Sequence, residues 1–262
     1  MENFGVSELM DYQGIPVNRI TDNVEETGAF IAIDKPYRWS STDVVRKVKV
    51  LMRQYYGLKK LKVGHSGTLD PLATGVLIIC LGRKATKMVD ELQSHRKTYV
   101  TEVKFGATTP SFDLEKEIDQ EYPWEHITKE KVEEVLQGFV GEQDQIPPIF
   151  SAKSVDGQRA YSMARRGEEV ELKPCKITIW NARLLSFDLP VANIELECSK
   201  GTYIRSFGRD IGERLESGSH LISLRRTATG PFLASGCLSL EKFEENISEH
   251  RNKGDFPTYK AQ

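Results

Sequence analysis

The spacing of apolar residues changes several times along the chain, and each change predicts an element. Phe30, Ile31, Ala32 and Ile33 make a short unbroken apolar run, the pattern of a buried strand. Over residues 43–56 the period becomes helical, with Val44, Val45, Val48, Leu51 and Met52 on one face. Ser41 or Thr42 is the expected N-cap and Gly57 the expected stop. Val76-Leu77-Ile78-Ile79-Cys80-Leu81 predicts a second buried strand, and residues 85–92 a helix. From 97 to 105 the period falls to two: Tyr99, Thr101, Val103 and Phe105 share one face, Glu102 and Lys104 the other. Thr128 caps an expected helix through Leu136, and a short helix is expected over 160–166, ended by Gly167. Strands are expected at 169–172, 175–187, 193–198, 221–227 and 232–234. Ile204, Phe207, Ile211 and Leu215 recur at helical spacing.

Strands and helices mix without a regular βαβ repeat. The expected fold class is therefore α+β, a mixed, mainly antiparallel sheet flanked by helices. Residues 1–28 read as an irregular N-terminal extension, 29–245 as one domain, and 246–262 as a polar, frayed tail.

Composition narrows the classes. Apolar residues are 39% of the chain, enough for a sizeable core, and no apolar run reaches membrane-spanning length. Met1 to Glu26 is acidic and lacks the apolar stretch of a secretory signal. Cys80, Cys175, Cys198 and Cys237 are far apart and form no C-x-x-C pair, which reads as reduced thiols in a cytoplasmic protein without a zinc site. The formal net charge of −2 gives no hint of nucleic acid, but its distribution does. Residues 44–63 hold Arg46, Lys47, Lys49, Arg53, Lys59, Lys60 and Lys62 and no acid, whereas 113–134 is strongly acidic. The basic stripe suits either phosphate neutralisation or a solvated helix face.

One loop carries the candidate chemistry. Gly64-His65-Ser66-Gly67-Thr68-Leu69-Asp70-Pro71-Leu72-Ala73-Thr74-Gly75 sets Asp70 between glycines and a proline, next to an apolar strand. A carboxylate so placed is either a rigidly held catalytic acid or a turn residue bonding its own backbone.

This segment resembles the GHTGTLDPLATG motif of the TruB-type tRNA pseudouridine synthases, with Ser66 in place of the usual Thr. Other segments extend the resemblance in order. They are Asp34-Lys35-Pro36 with Trp39-Ser40-Ser41, Lys97-Thr98-Tyr99, Gln145-Ile146-Pro147-Pro148-Ile149-Phe150-Ser151-Ala152, Gly157-Gln158-Arg159-Ala160-Tyr161, and Cys198-Ser199-Lys200-Gly201-Thr202-Tyr203-Ile204-Arg205. Lys153 and Ser154 shift the family's S-A-x-K lysine by one place. Many bacterial relatives continue into a small PUA domain after a segment like Arg225-Arg226-Thr227-Ala228-Thr229-Gly230-Pro231-Phe232. The short stretch after Phe232 predicts none here.

The resemblance implies a catalytic domain over 29–245 that isomerises uridine to pseudouridine at position 55 of the tRNA T loop. It implies no metal and no organic cofactor, a tRNA partner gripped at its T loop and T stem, no membrane, and a monomer. The uridine must leave the stack to react. Asp70 is the implied nucleophile, by attack at C6, by attack at C1′, or by C2′-proton abstraction. Arg205 is the implied counter-charge that keeps Asp70 ionised. Tyr99 is the implied stacking ring and proton carrier; by its spacing alone it is equally a strand-core tyrosine. Tyr203 is a second implied pocket tyrosine and Leu224 an apolar wall, or simple core. His65 is implied to fill the gap left by the flipped base. Lys35 and Lys153 are candidate phosphate or loop-supporting contacts, or members of structural ion pairs. Two other readings use the same residues: a hydrolase with Asp70 as nucleophile, and a non-catalytic RNA-binding protein indifferent to Asp70→Asn.

Overall fold

The computed structural model describes residues 2–3, 11–150, 154–155, 158–159 and 172–252. Lys153, the Gly157 motif apart from Gln158 and Arg159, the expected helix at 160–166 and residues 169–171 lie outside the described residues. The chain forms two compact units, Met1–His95 with Arg226–Gln262, and Arg96–Arg225.

In the first unit the strand Ala29–Lys35 pairs antiparallel with Thr74–Leu81, from Ala29 opposite Leu81 to Lys35 opposite Gly75. Val63–Ser66 also pairs antiparallel with Thr74–Leu81, and Leu238–Ser239 runs parallel to Ala29–Lys35. Both faces of these strands are covered, which explains apolar runs without alternation. Ile31, Ile33, Leu77 and Ile79 pack against Val44, Val48 and Met52 of the helix Ser41–Tyr56 and against Phe243 and Ile247. Phe30, Ala32, Ile78 and Cys80 meet Ile15, Val17, Leu92 and Phe232 on the opposite face.

The helix begins earlier than its apolar pattern predicts. Ser40, not Ser41 or Thr42, is its N-cap: the Asp43 amide donates to Ser40 Oγ at 3.1 Å, and the Ser40 amide donates to Asp43 Oδ2 at 3.2 Å. This reciprocal capping box leaves Ser41 free to face inward. Gly57 ends the helix in the left-handed region. The expected helix at 85–92 is instead two short ones, Gly82–Thr86 and Val89–Ser94.

Two expectations about the termini need correction. Residues 11–28 are folded: Asp11–Tyr12 and Ile15–Pro16 form a hairpin, and Ile15, Val17 and Val24 are buried. These apolar residues stand singly in a polar stretch, so no periodicity betrayed them. The 246–262 tail is not wholly frayed either, because the helix Leu240–Asn252 runs into it. Leu240, Phe243 and Ile247 lie on one helical stripe and are all buried.

In the second unit the order is Gly141–Gln145, Cys175–Asp188, Val191–Cys198, Lys97–Phe105, each antiparallel to the next. Tyr99, Thr101, Val103 and Phe105 are the buried face of the last strand, as its alternation predicts. Thr128 caps the helix Lys129–Gln137 as expected. The Phe139 and Phe207 rings pack edge to face 4.8 Å apart. The chain returns to the first unit at Arg226, inside the strand Ser219–Thr229.

Candidate active site

Asp70 sits half-buried in the loop between Val63–Ser66 and Thr74–Leu81. The first part of the glycine motif is thus strand, and only residues 67–73 form the loop. The Ala73 amide donates to the Asp70 carbonyl at 3.1 Å and closes a turn behind the carboxylate. Three buried polar side chains hold this loop from below.

Lys35 is fully buried at the end of its strand. Its Nζ donates to the carbonyls of Pro36 (3.0 Å), Trp39 (2.5 Å) and Pro71 (3.2 Å). Burial lowers its pKa to about 8; the Asp70 charge opposes that shift, Arg226 adds to it, and Asp43 opposes it. Ser41 is the second support: Oγ donates to the Leu69 carbonyl at 3.1 Å and accepts from the Leu69 amide at 2.8 Å. Arg226 is the third. Its Nε donates to the Val76 carbonyl at 2.7 Å and Nη2 to the Gly67 carbonyl at 3.0 Å. The close approach explains Gly75, whose φ is 103° and where a Cβ would lie 2.1 Å from the Arg226 carbonyl oxygen. Three side chains therefore fix the backbone on both sides of Asp70.

His65 is half-buried on the strand leading into the loop. Burial and the Arg226 charge lower its pKa, against a smaller pull from the Gly67 backbone, so the ring is neutral at neutral pH. Its Nδ1 is buried and has no hydrogen-bond partner among the described residues.

The second unit assembles another set. Arg205 opens the helix Ile204–Arg214 and is buried, with 4% of its surface exposed. Its Nη1 donates to the Ser111 carbonyl at 3.1 Å and Nη2 to the Phe150 carbonyl at 2.8 Å, while Nε lies 3.8 Å from Asp113 Oδ2. The Gln145 side chain bonds the Tyr203 backbone twice, donating to its carbonyl at 3.0 Å and accepting from its amide at 2.8 Å. Ser206 Oγ donates to the Ile146 carbonyl at 2.7 Å. The segments Gln145–Phe150 and Cys198–Arg205, remote in sequence, are thereby locked together. Tyr99 lies buried on Lys97–Phe105, opposite Leu196, and Leu224 is half-buried in Ser219–Thr229.

Asp113, Gln145, Ser41 and Arg226 are the structural partners that pattern reading missed. Asp113 opens an acidic run and looks like one charge among many. Arg226 sits beside Arg225, and only burial separates their roles. No group of three or more His, Cys, Asp or Glu side chains is placed to hold a metal ion among the described residues. Nor is any described helix long and apolar enough to cross a membrane.

Known structures define the class. The fold resembles the solved Cbf5–Nop10–Gar1 complex over 96% of this chain and 64% of that chain, at a TM-score of 0.67 and 25% identity. It also resembles the structure of an H/ACA RNP bound to a substrate RNA containing 2′-deoxyuridine, over 95% and 63% at a TM-score of 0.64 and 23% identity. The chain thus spans less than two thirds of those chains, and the likeness is one of fold. The N-terminal domain model of the TruB family of pseudouridylate synthases matches residues 53–204, and the tRNA pseudouridylate synthase B C-terminal domain model matches 205–257. A tRNA pseudouridine synthase B from Phocaeicola vulgatus is 56% identical over 222 residues, 85% of this chain and 94% of that protein. Another, from Parabacteroides distasonis, is 53% identical over 223 residues, 85% and 94%. The chain belongs to the TruB family of tRNA pseudouridine synthases, which are isomerases.

Proposed function

We propose that the protein converts the T-loop uridine at tRNA position 55 to pseudouridine, with Asp70 as the reacting carboxylate. The observation that carries this reading is the support of Asp70. Lys35, Ser41 and Arg226 each bond the backbone of this short loop, at Pro71, Leu69 and Gly67, and Lys35 also ties it to the Pro36 and Trp39 carbonyls. A turn aspartate needs no such support. A catalytic carboxylate does, because its rate depends on fixed geometry.

The reaction is an isomerisation. The N1–C1′ bond breaks, uracil turns, a C5–C1′ bond forms, the C5 proton leaves and N1 takes up a proton. The T-loop uridine lies outside regular pairing, so turning it out costs less than opening a duplex. Arg205 supplies the counter-charge to Asp70, on the strength of its motif and its permanent charge. Tyr99 gives the uracil a stacking surface and carries the C5 proton. Tyr203 and Leu224 bound the base, and neutral His65 fills the gap it leaves. Lys35 acts as a loop support. Lys153 remains a candidate phosphate contact. The enzyme works as a monomer in the cytoplasm, holding tRNA by its T loop and T stem.

The test uses tRNA transcripts tritiated at uridine C5. Release from the intact transcript, lost when the T-loop uridine is replaced by cytidine, is the expected result. Release that persists after the replacement overturns the position.

A further inference from the structure

The loop entering the capping-box helix has features that the Asp70 loop does not use. Tyr37 and Trp39 are large aromatic residues exposed by 49% and 36%. Between them Arg38 holds a φ of 65°, in the left-handed region that costs an L side chain energy and that glycine adopts freely. Its guanidinium lies 5.6 Å from the Tyr37 ring centre. Arg38, Trp39, Asp43 and Arg46 line an open groove, and Tyr37 adjoins it in the chain.

The charge in this groove is asymmetric. Asp43 Oδ1 lies 3.3 Å from Arg46 Nη1, and its other oxygen bonds Ser40, so its carboxylate is already engaged. Arg38 has no ion pair among the described residues. The helix N-terminus is closed by its own capping box, so an anion entering here meets guanidinium groups rather than free amides. Exposed aromatic faces alternating with arginines suit single-stranded nucleic acid, in which bases stack on rings and phosphates meet cations. The groove is also tied to the Asp70 loop, because the same Lys35 Nζ bonds both the Trp39 and the Pro71 carbonyls.

We propose that Tyr37, Arg38, Trp39 and Arg46 form an accessory RNA subsite beside the Asp70 loop, taking an unstacked base on the aromatic faces and its phosphate on Arg38. The occupant is a nucleotide flanking the reacting uridine, so the inference rests on the tRNA reading above. A strained backbone at an exposed arginine follows from this role: the site keeps a charge where a glycine would be conformationally easier.

Arg38→Gly separates binding from folding. It relieves the left-handed strain, so Tm stays the same or rises, while tRNA binding weakens about fivefold to tenfold. The loss falls on KM, with kcat held within about twofold. The slope of log Kd against log salt shrinks by about one phosphate contact. Arg38→Gln, which keeps the side-chain length, shows the same loss of slope. Tyr37→Ala weakens binding by about tenfold with little change of slope, since stacking carries no charge. Unchanged Kd and slope in all three variants, while the unaltered protein binds and isomerises tRNA, overturn the subsite and leave the function standing. A fall in kcat at unchanged KM also overturns it. If the unaltered protein neither binds tRNA nor releases tritium, the functional reading fails and the subsite with it.

Discussion

Lys35 shows how one buried cation joins structure to chemistry. Its ammonium has three hydrogens and three carbonyl acceptors, and loss of a proton leaves one acceptor unmatched. Its pKa of about 8, pushed down by burial, lies below the usual lysine value of 10.5. Two opposite consequences follow. Between those two values the unfolded chain binds more protons than the folded one, so this group makes global stability rise with pH there. Over the same range its support of the Asp70 loop weakens. The turnover rate is therefore expected to fall above about pH 8 while the fold holds, with an alkaline limb that tracks Lys35. A flat rate profile from about pH 7 to 9.5 contradicts this. Burial lowers the His65 pKa, so its charge change falls on the acid side of its ordinary value.

At the scale of elements, the capping box sets where the main helix starts and thus where Ser41 points. Ser40→Ala removes one acceptor for the Asp43 amide and frees the first turn. It is expected to cost about 1 kcal/mol of stability by urea denaturation, and an unchanged midpoint contradicts the box. Much of this architecture was legible in the sequence. The alternation at Tyr99 to Phe105, the apolar run at Val76 to Leu81 and the stripe at Ile204 to Leu215 each follow from one local period. What stayed hidden has no local period. Val63–Ser66 carries a glycine and a histidine, and becomes a strand only because Thr74–Leu81 offers an edge. Leu238–Ser239 is too short for any pattern and is fixed by pairing beside Ile33. The candidate catalytic residues were legible as motifs and Lys35 as a candidate loop support, yet the supporting roles of Arg226 and Asp113 were not. Arg226 bonds the Val76 carbonyl 150 residues away, and Asp113 meets Arg205, also remote in sequence.

At the scale of the whole molecule, the terminal segments are structural. Ile15 and Phe243 are fully buried on opposite faces of the same strands. Truncating them leaves cavities that the flanking strands cannot close. Ile15→Ala is expected to cost about 2–5 kcal/mol and Phe243→Ala about 3–5 kcal/mol by denaturation. Losses below about 1 kcal/mol at both positions return the termini to the status of appendages. The net charge of −2 gives no overall attraction to RNA, so affinity must come from local basic surface such as the exposed Arg53, Lys59, Lys60 and Lys62. Binding and chemistry are therefore expected to separate when Asp70 alone is changed. The direct test is tritium release from C5-labelled tRNA by the intact protein and by Asp70→Asn, with tRNA affinity measured on both. The expected result is release by the intact protein, none by Asp70→Asn, and affinities within about tenfold of each other. Release by Asp70→Asn at a rate near that of the intact protein would contradict the central role given to this carboxylate.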